Sequence, residues 1–175
     1  MNRKRNSKTR KAYPKKYIPS YLDKKDALII KKELDKSKKM YKKNKYYVRK
    51  EVKSMKIKES AHVKKAKNIY NIKSLKIGKN LSSKTGCSIK GLKQIMKKGQ
   101  GAYFSGSRPG QTPTSWGYAR LASSITGGKS AAVDFHILEN ECNKKTSKAY
   151  KLALTARRKH GKGTRKVPKR LMSNN

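Results

Sequence analysis

Acidic side chains are nearly missing from this sequence. Nine Asp and Glu stand against 49 Lys and Arg in 175 residues, a formal net charge of +40 at pH 7. A chain so charged repels itself and attracts polyanions, which excludes a basic partner and makes nucleic acid the first candidate. Nine carboxylates leave little for metal-dependent hydrolysis, so no enzyme activity, metal or cofactor is expected. Large apolar residues are scarce too: Val, Ile, Leu and Phe number 29 of 175, a proportion typical of chains that cannot bury a full-length core. A small domain with charged extensions is therefore expected. One Trp and two Phe provide no apolar face for a basic membrane helix. No apolar run is long enough to span a bilayer, and Asn2 to Asn6 lead into Lys and Tyr rather than a signal core, so no membrane partner is expected. The two cysteines, Cys87 and Cys142, are too few and too separated for a disulfide framework. They read as free thiols in a reducing compartment.

What is present is unevenly spread. Residues 1–99 hold 34 basic and six acidic side chains, residues 100–140 three and two, and residues 141–175 twelve and one. A nearly neutral Gly- and Ala-rich island thus lies between two cationic arms. No repeat of fixed period is visible. The first arm, residues 1–22, has Lys, Arg, Tyr, Pro14 and Pro19 without periodicity and is expected to be extended and mobile. Asp23 as N-cap and the spacing of Ile30, Leu34 and Tyr41 predict a helix over 24–43, and Tyr46-Tyr47-Val48 a short strand or extended clamp. A second helix is expected from Ser60 to Tyr70 with Val63, Ala66 and Tyr70 on one side; His62, with no partner at ligand spacing, reads as structural. A helix over 146–159 ends at Gly161 and carries Arg157, Arg158 and Lys159 into a basic tail, residues 156–175.

Residues 81–95 have the spacing of a helix-turn-helix. Leu81 opens the first helix, Ser82 sits at the crossing, Gly86 supplies a left-handed turn, and Cys87 fills the apolar turn position. Ser88 caps the second helix, which buries Ile89, Leu92 and Ile95 and exposes Lys90, Lys93, Gln94 and Lys97. Lys suits phosphates or guanine and Gln suits adenine edges, as on a recognition helix. The same pattern fits an ordinary αα-hairpin, and Gly91 weakens the second helix, so phosphate contact is favoured over base reading.

The run from Gly99 to Gly110 has the glycine content of a loop with accessible backbone N–H groups, and Arg108 would add a fork-shaped phosphate donor. Thr112-Pro113 then starts a helix over Pro113–Thr126, with Tyr118, Leu121, Ala122 and Ile125 as its apolar stripe. Trp116 and Arg120 lie one turn apart on another face. Trp116 reads as a core residue, with base stacking the alternative, and Arg120 as a nucleic-acid contact. Gly127-Gly128-Lys129-Ser130 resembles the end of a phosphate-binding loop, but Ser123 stands where a glycine is required and a helix precedes it. Asp134, His136, Glu139, Glu141 and Cys142 lack zinc spacing; Asp134 reads as a helix cap or salt bridge.

The stretch from Lys98 to Lys129, above all Gly106-Ser107-Arg108-Pro109-Gly110 and Trp116-Gly117-Tyr118-Ala119-Arg120-Leu121, resembles a small uncharacterised basic domain of nucleocytoplasmic large DNA viruses that also occurs in some tailed phages. A looser likeness extends from Lys42 to Leu154. The resemblance implies a viral protein and carries over no catalytic residue.

Together these readings predict a mainly α-helical fold: a basic helical arm and connector over 23–59, then a small helical domain over 60–155 with a helix-turn-helix-like pair. The expected function is non-enzymatic, phosphate-dominated binding and compaction of duplex DNA in a virion, with host cytoplasm or nucleus as the place of assembly. Two alternatives are a minor capsid or core protein whose basic arms bridge acidic subunits, and a ribosomal-protein-like RNA binder. Ser88, Lys90, Lys93, Gln94, Lys97, Arg108, Arg120, Arg157, Arg158 and Lys159 are the expected nucleic-acid contacts.

Overall fold

The computed structural model describes residues 11–56, 59–163 and 168–172. Within them the order is β1 (Lys11–Pro14), α1 (Lys24–Tyr41), α2 (Ala61–Tyr70), α3 (Lys79–Thr85), α4 (Ile89–Ser105), α5 (Pro113–Ile125), α6 (Lys129–Val133), α7 (Phe135–Glu141), α8 (Lys148–His160) and β2 (Lys169–Met172). The fold is mainly helical, with a single two-stranded antiparallel sheet among the described residues.

The clearest local signal gives the best-defined helix start. Thr112 and Ser115 form a reciprocal capping box: each backbone N–H donates to the other's hydroxyl, at 3.0 and 2.9 Å, with Pro113 in the first turn. This satisfies two of the N–H groups that a helix start leaves open. The expected stripe of α5 follows, with Leu121, Ala122 and Ile125 fully buried. They join Ala66 and Tyr70 of α2, Leu92 and Ile95 of α4, Leu138 of α7 and Ala149 and Ala153 of α8 in the main core.

Helix α4 is longer than expected. It runs through Gly99 and Gly101 to Ser105, so most of the presumed glycine loop is helix. Tertiary contact explains the glycines: a Cβ on Gly101 would stand 2.9 Å from the Tyr41 hydroxyl. The loop proper begins at Gly106, whose φ of +145° excludes most side chains.

The N-terminal segment also departs from expectation. Residues 11–22 fold back rather than trailing: β1 pairs with β2, with Ala12 opposite Leu171 and Tyr13 opposite Arg170. Tyr13, Ile18 and Leu22 are buried with Ala27, Ile30 and Leu34 of α1 in a second core, against which Val52 and Met172 pack. Part of the predicted basic tail is therefore a strand. The expectations for residues 1–10, 164–167 and 173–175 lie outside the described residues. Asp23 stands before α1 but makes no side-chain cap hydrogen bond. Residues 46–48 form no strand; Tyr47 instead donates its hydroxyl to the Glu33 carboxylate at 2.9 Å.

The cysteine expectation is overturned. Cys87 and Cys142 are disulfide-bonded, because the α3–α4 turn lies beside the end of α7. Two backbone hydrogen bonds hold that approach, Ser88 N–H to the Glu141 carbonyl at 2.7 Å and Asn143 N–H to the Gly86 carbonyl at 2.9 Å. Gly86 has the expected left-handed conformation, φ +71°.

Candidate nucleic-acid interface

Helix α4 presents the predicted strip only in part. Ser88 is occupied at the helix end: its hydroxyl accepts from the Gly91 N–H at 3.0 Å and donates to the Glu141 carboxylate. This fixes the start of α4 and engages the hydroxyl that was expected to meet nucleic acid. Gly91 is required at this crossing, since a Cβ there would lie 2.4 Å from the Glu141 Cβ. Lys90 leans toward Glu141 at 3.8 Å. Lys93, Gln94 and Lys97 are exposed. Gln94 and Lys97 line a groove of about 710 Å³ between α4 and α7, with Tyr41, His136 and Asn140 along its walls. Lys90, Lys93, Gln94 and Lys97 thus all lie exposed along α4, and its buried side is Leu92, Ile95 and Gly99.

Arg120 is not a free phosphate donor. Its Nε and Nη2 donate to the two Asp134 carboxylate oxygens at 2.8 and 2.7 Å. Asp134 is fully buried and also receives Lys98 Nζ at 3.1 Å and the Ser124 hydroxyl at 3.0 Å. Burial alone would raise this carboxyl's pKa, but hydrogen bonding and charge from Arg120 and then Lys98 hold it below the usual range. Of the two readings of Asp134, the salt bridge is the observed one; its side chain makes no cap hydrogen bond.

Trp116 is the larger surprise. It is half-buried rather than in the core, because α5 buries the face one turn on and leaves Trp116 at the wall of a second cleft. This cleft, of about 610 Å³, lies between α5, the start of α2, the end of α4 and residues 16–17 of the N-terminal segment. Trp116, Tyr17, His62, Lys16 and Arg108 line it. Tyr17 lies over Gly106, where a Cβ would meet the ring at 2.8 Å. Partial burial, then the charges of Arg108 and Lys129, push the Lys16 ammonium below its usual pKa. His62 is lowered by burial, Lys65 and Arg108. Lys16 and Arg108 thus share one cleft.

Arg108 is positioned by a residue that sequence reasoning missed. Arg49 donates from Nη1 to the Tyr103 carbonyl at 2.8 Å and from Nη2 to the Ser107 hydroxyl, while its guanidinium lies 3.8 Å above the Tyr103 ring. It ties the loop carrying Arg108 to the end of α4. The available signal was rarity: only ten of 49 basic residues are Arg, and a planar fork does what Lys cannot. Lys16 and Tyr17 carried no sequence signal of their own.

At the C-terminal end, Arg158 and Lys159 are exposed. Arg157 donates to the Ala132 carbonyl at 3.2 Å and lies 5.4 Å from the Phe135 ring, so its guanidinium is partly engaged in holding α8 to α6 and α7. None of the three lines the α4 groove or the Trp116 cleft.

No curated protein and no solved structure matches the chain. A family model does match over residues 14–146, which takes in β1's last residue, both clefts and the whole neutral island. The match covers most of the sequence, and the chain accordingly belongs to the family of unknown function DUF5824.

Proposed function

We propose that the protein binds nucleic acid without enzymatic action, chiefly through phosphates, and that duplex DNA is its main partner. One observation carries the reading: 49 cations face nine carboxylates, and most of the lysines on α1, α4 and α8 lie exposed. Ion pairs engage Lys11, Lys64, Lys67, Lys90, Lys98 and Arg120; nine carboxylates cannot neutralise the remainder. Each lysine that meets a phosphate releases condensed counterions, which favours binding without sequence preference. The resemblance to a domain of large DNA viruses makes genome compaction in a virion the setting for this activity.

The test is binding of the full chain to a labelled duplex at increasing salt. Phosphate-dominated binding gives a linear fall of log K with log salt, about a thousandfold or more between 50 and 200 mM for six or more contacts. Absence of duplex binding at moderate salt, with stoichiometric co-purification with a shell protein, would instead identify a structural component.

A further inference from the structure

The Trp116 cleft carries chemistry that duplex binding does not use. Two of its cations have no counter-charge: among the described residues no carboxylate pairs with Lys16 or Arg108, whereas Arg120 is held by Asp134. The Glu59 carboxylate at the cleft's edge lies 3.4 and 3.8 Å from Lys64 and Lys67. Like charges held together at a concave surface attract an anion strongly. Facing them is an aromatic wall. No buried side-chain polar atom lacks a partner among the described residues. The Trp116 indole N–H makes no hydrogen bond among the described residues, so it is accessible to solvent. The volume of about 610 Å³ falls in the range of small-molecule sites. Serine hydroxyls and Gln111 supply donors and acceptors on the walls. A cation cluster beside a stacking ring is the combination that unpaired nucleotides require. A base inside a duplex cannot reach such a ring without leaving its stack.

We propose that this cleft takes one nucleotide of an unpaired strand, with its base against Trp116 and its phosphate between Lys16 and Arg108. The inference rests on the nucleic-acid reading above and adds a site selective for single strands or strand ends. It also gives the folded-back N-terminal segment a role, since Lys16 and Tyr17 complete the cleft.

Trp116 is the sole tryptophan, so its emission reports on this site alone. With the full chain, a short oligothymidylate should quench Trp116 emission, and a duplex of equal length should bind without comparable quenching. Lys16→Gln, at an exposed position, and Trp116→Phe should each weaken oligothymidylate binding about tenfold by anisotropy of a labelled strand, within the range of a lost base stack. Duplex affinity should change less than threefold. Retained circular dichroism and thermal midpoint show that the variants fold. Inorganic pyrophosphate should compete poorly; equal competition overturns the proposal by making the cleft a simple anion site. Duplex binding with no quenching by oligothymidylate and no effect of either variant sinks the cleft alone. Failure to bind either oligonucleotide at low salt sinks the nucleic-acid reading with it.

Discussion

Gly99 of α4 and Gly117 of α5 meet backbone to backbone: a Cβ built on Gly99 would stand 2.8 Å from the Gly117 Cα and 3.2 Å from the Trp116 carbonyl oxygen. Glycine is poor in a helix interior, by about 1 kcal/mol relative to alanine, so this contact must outweigh that loss. It also sets where Trp116 stands, because the carbonyl next to Gly117 rests on α4.

Gly99→Ala should therefore destabilise the protein in spite of the gain in helix propensity. The obstructing atoms belong to a backbone and cannot rotate aside. Overpacking costs of about 1–3 kcal/mol exceed the propensity gain, leaving a net loss of about 1–2 kcal/mol. Urea unfolding checks the magnitude, and a shift in Trp116 emission checks the displacement of α5. Unchanged stability would mean the helices separate freely.

This contact also explains why part of the fold was legible in the sequence and part was not. The start of α5, the cap of α4 by Ser88 and the turn at Gly86 are local devices, and neighbouring residues encode them. The glycines at 99 and 101 misled because their cause lies on other elements, namely α5 and Tyr41. Cys87 and Cys142 misled for the same reason: their encounter depends on where α7 ends. Residues 11–22 show no helical periodicity because a four-residue strand carries Tyr13, and irregular backbone carries Ile18 and Leu22, into the second core. The candidate site divides in the same way. Lys93, Gln94 and Lys97 follow from helical spacing, whereas the cleft joins residues 16, 62, 108 and 116, which only tertiary structure assembles.

Asp134→Asn should be among the most damaging single changes. The substitution keeps the shape but leaves Arg120, itself largely buried, without its counter-charge. Losing one partner of a buried pair costs about 3–5 kcal/mol, and partial exposure of Arg120 and Lys98 places the expected loss near the lower end, about 3 kcal/mol. The pH dependence has a definite sign. Because the folded pKa lies below the unfolded value of about 3.9, the stabilisation is complete above about pH 5 and is lost as pH falls through the folded value. Asp26 is also depressed, by hydrogen bonds from Ser54, so the difference between wild type and Asp134→Asn isolates the contribution of Asp134. Thermal unfolding from pH 7 to pH 3 should show the two proteins converging in acid.

Removal of the disulfide should loosen the helix-turn-helix-like pair before the rest. Cys87 and Cys142 are separated by 55 residues, and a cross-link closing a loop of that length stabilises by about 4 kcal/mol in the chain-entropy account. The backbone hydrogen bonds at Ser88 and Asn143 remain, so α4 should stay helical. The double variant Cys87→Ser, Cys142→Ser should unfold at lower denaturant. Amide exchange should rise first around residues 86–88 and 141–143. Uniform acceleration across all helices would show that the bond supports the whole core instead.

The α4 strip is the last part open to a direct trial. Lys93 and Lys97 are exposed, have no carboxylate partner among the described residues, and lie one turn apart beside Gln94. If they meet phosphates, Lys93→Glu with Lys97→Glu should lower duplex affinity and reduce the steepness of the log K against log salt line by about two. A paired reversal at Lys38 and Lys39, exposed near the end of α1, supplies the reference for generic charge. Because the α4 lysines stand on a helix held by α5, α7 and the disulfide, their loss should exceed that of the α1 pair. Gln94→Ala should leave the salt slope unchanged, since an amide releases no counterion. It should alter relative affinity among duplex sequences only if α4 reads base edges. Equal losses from the α4 and α1 reversals, measured by anisotropy at matched salt, would reduce α4 to one cationic surface among several.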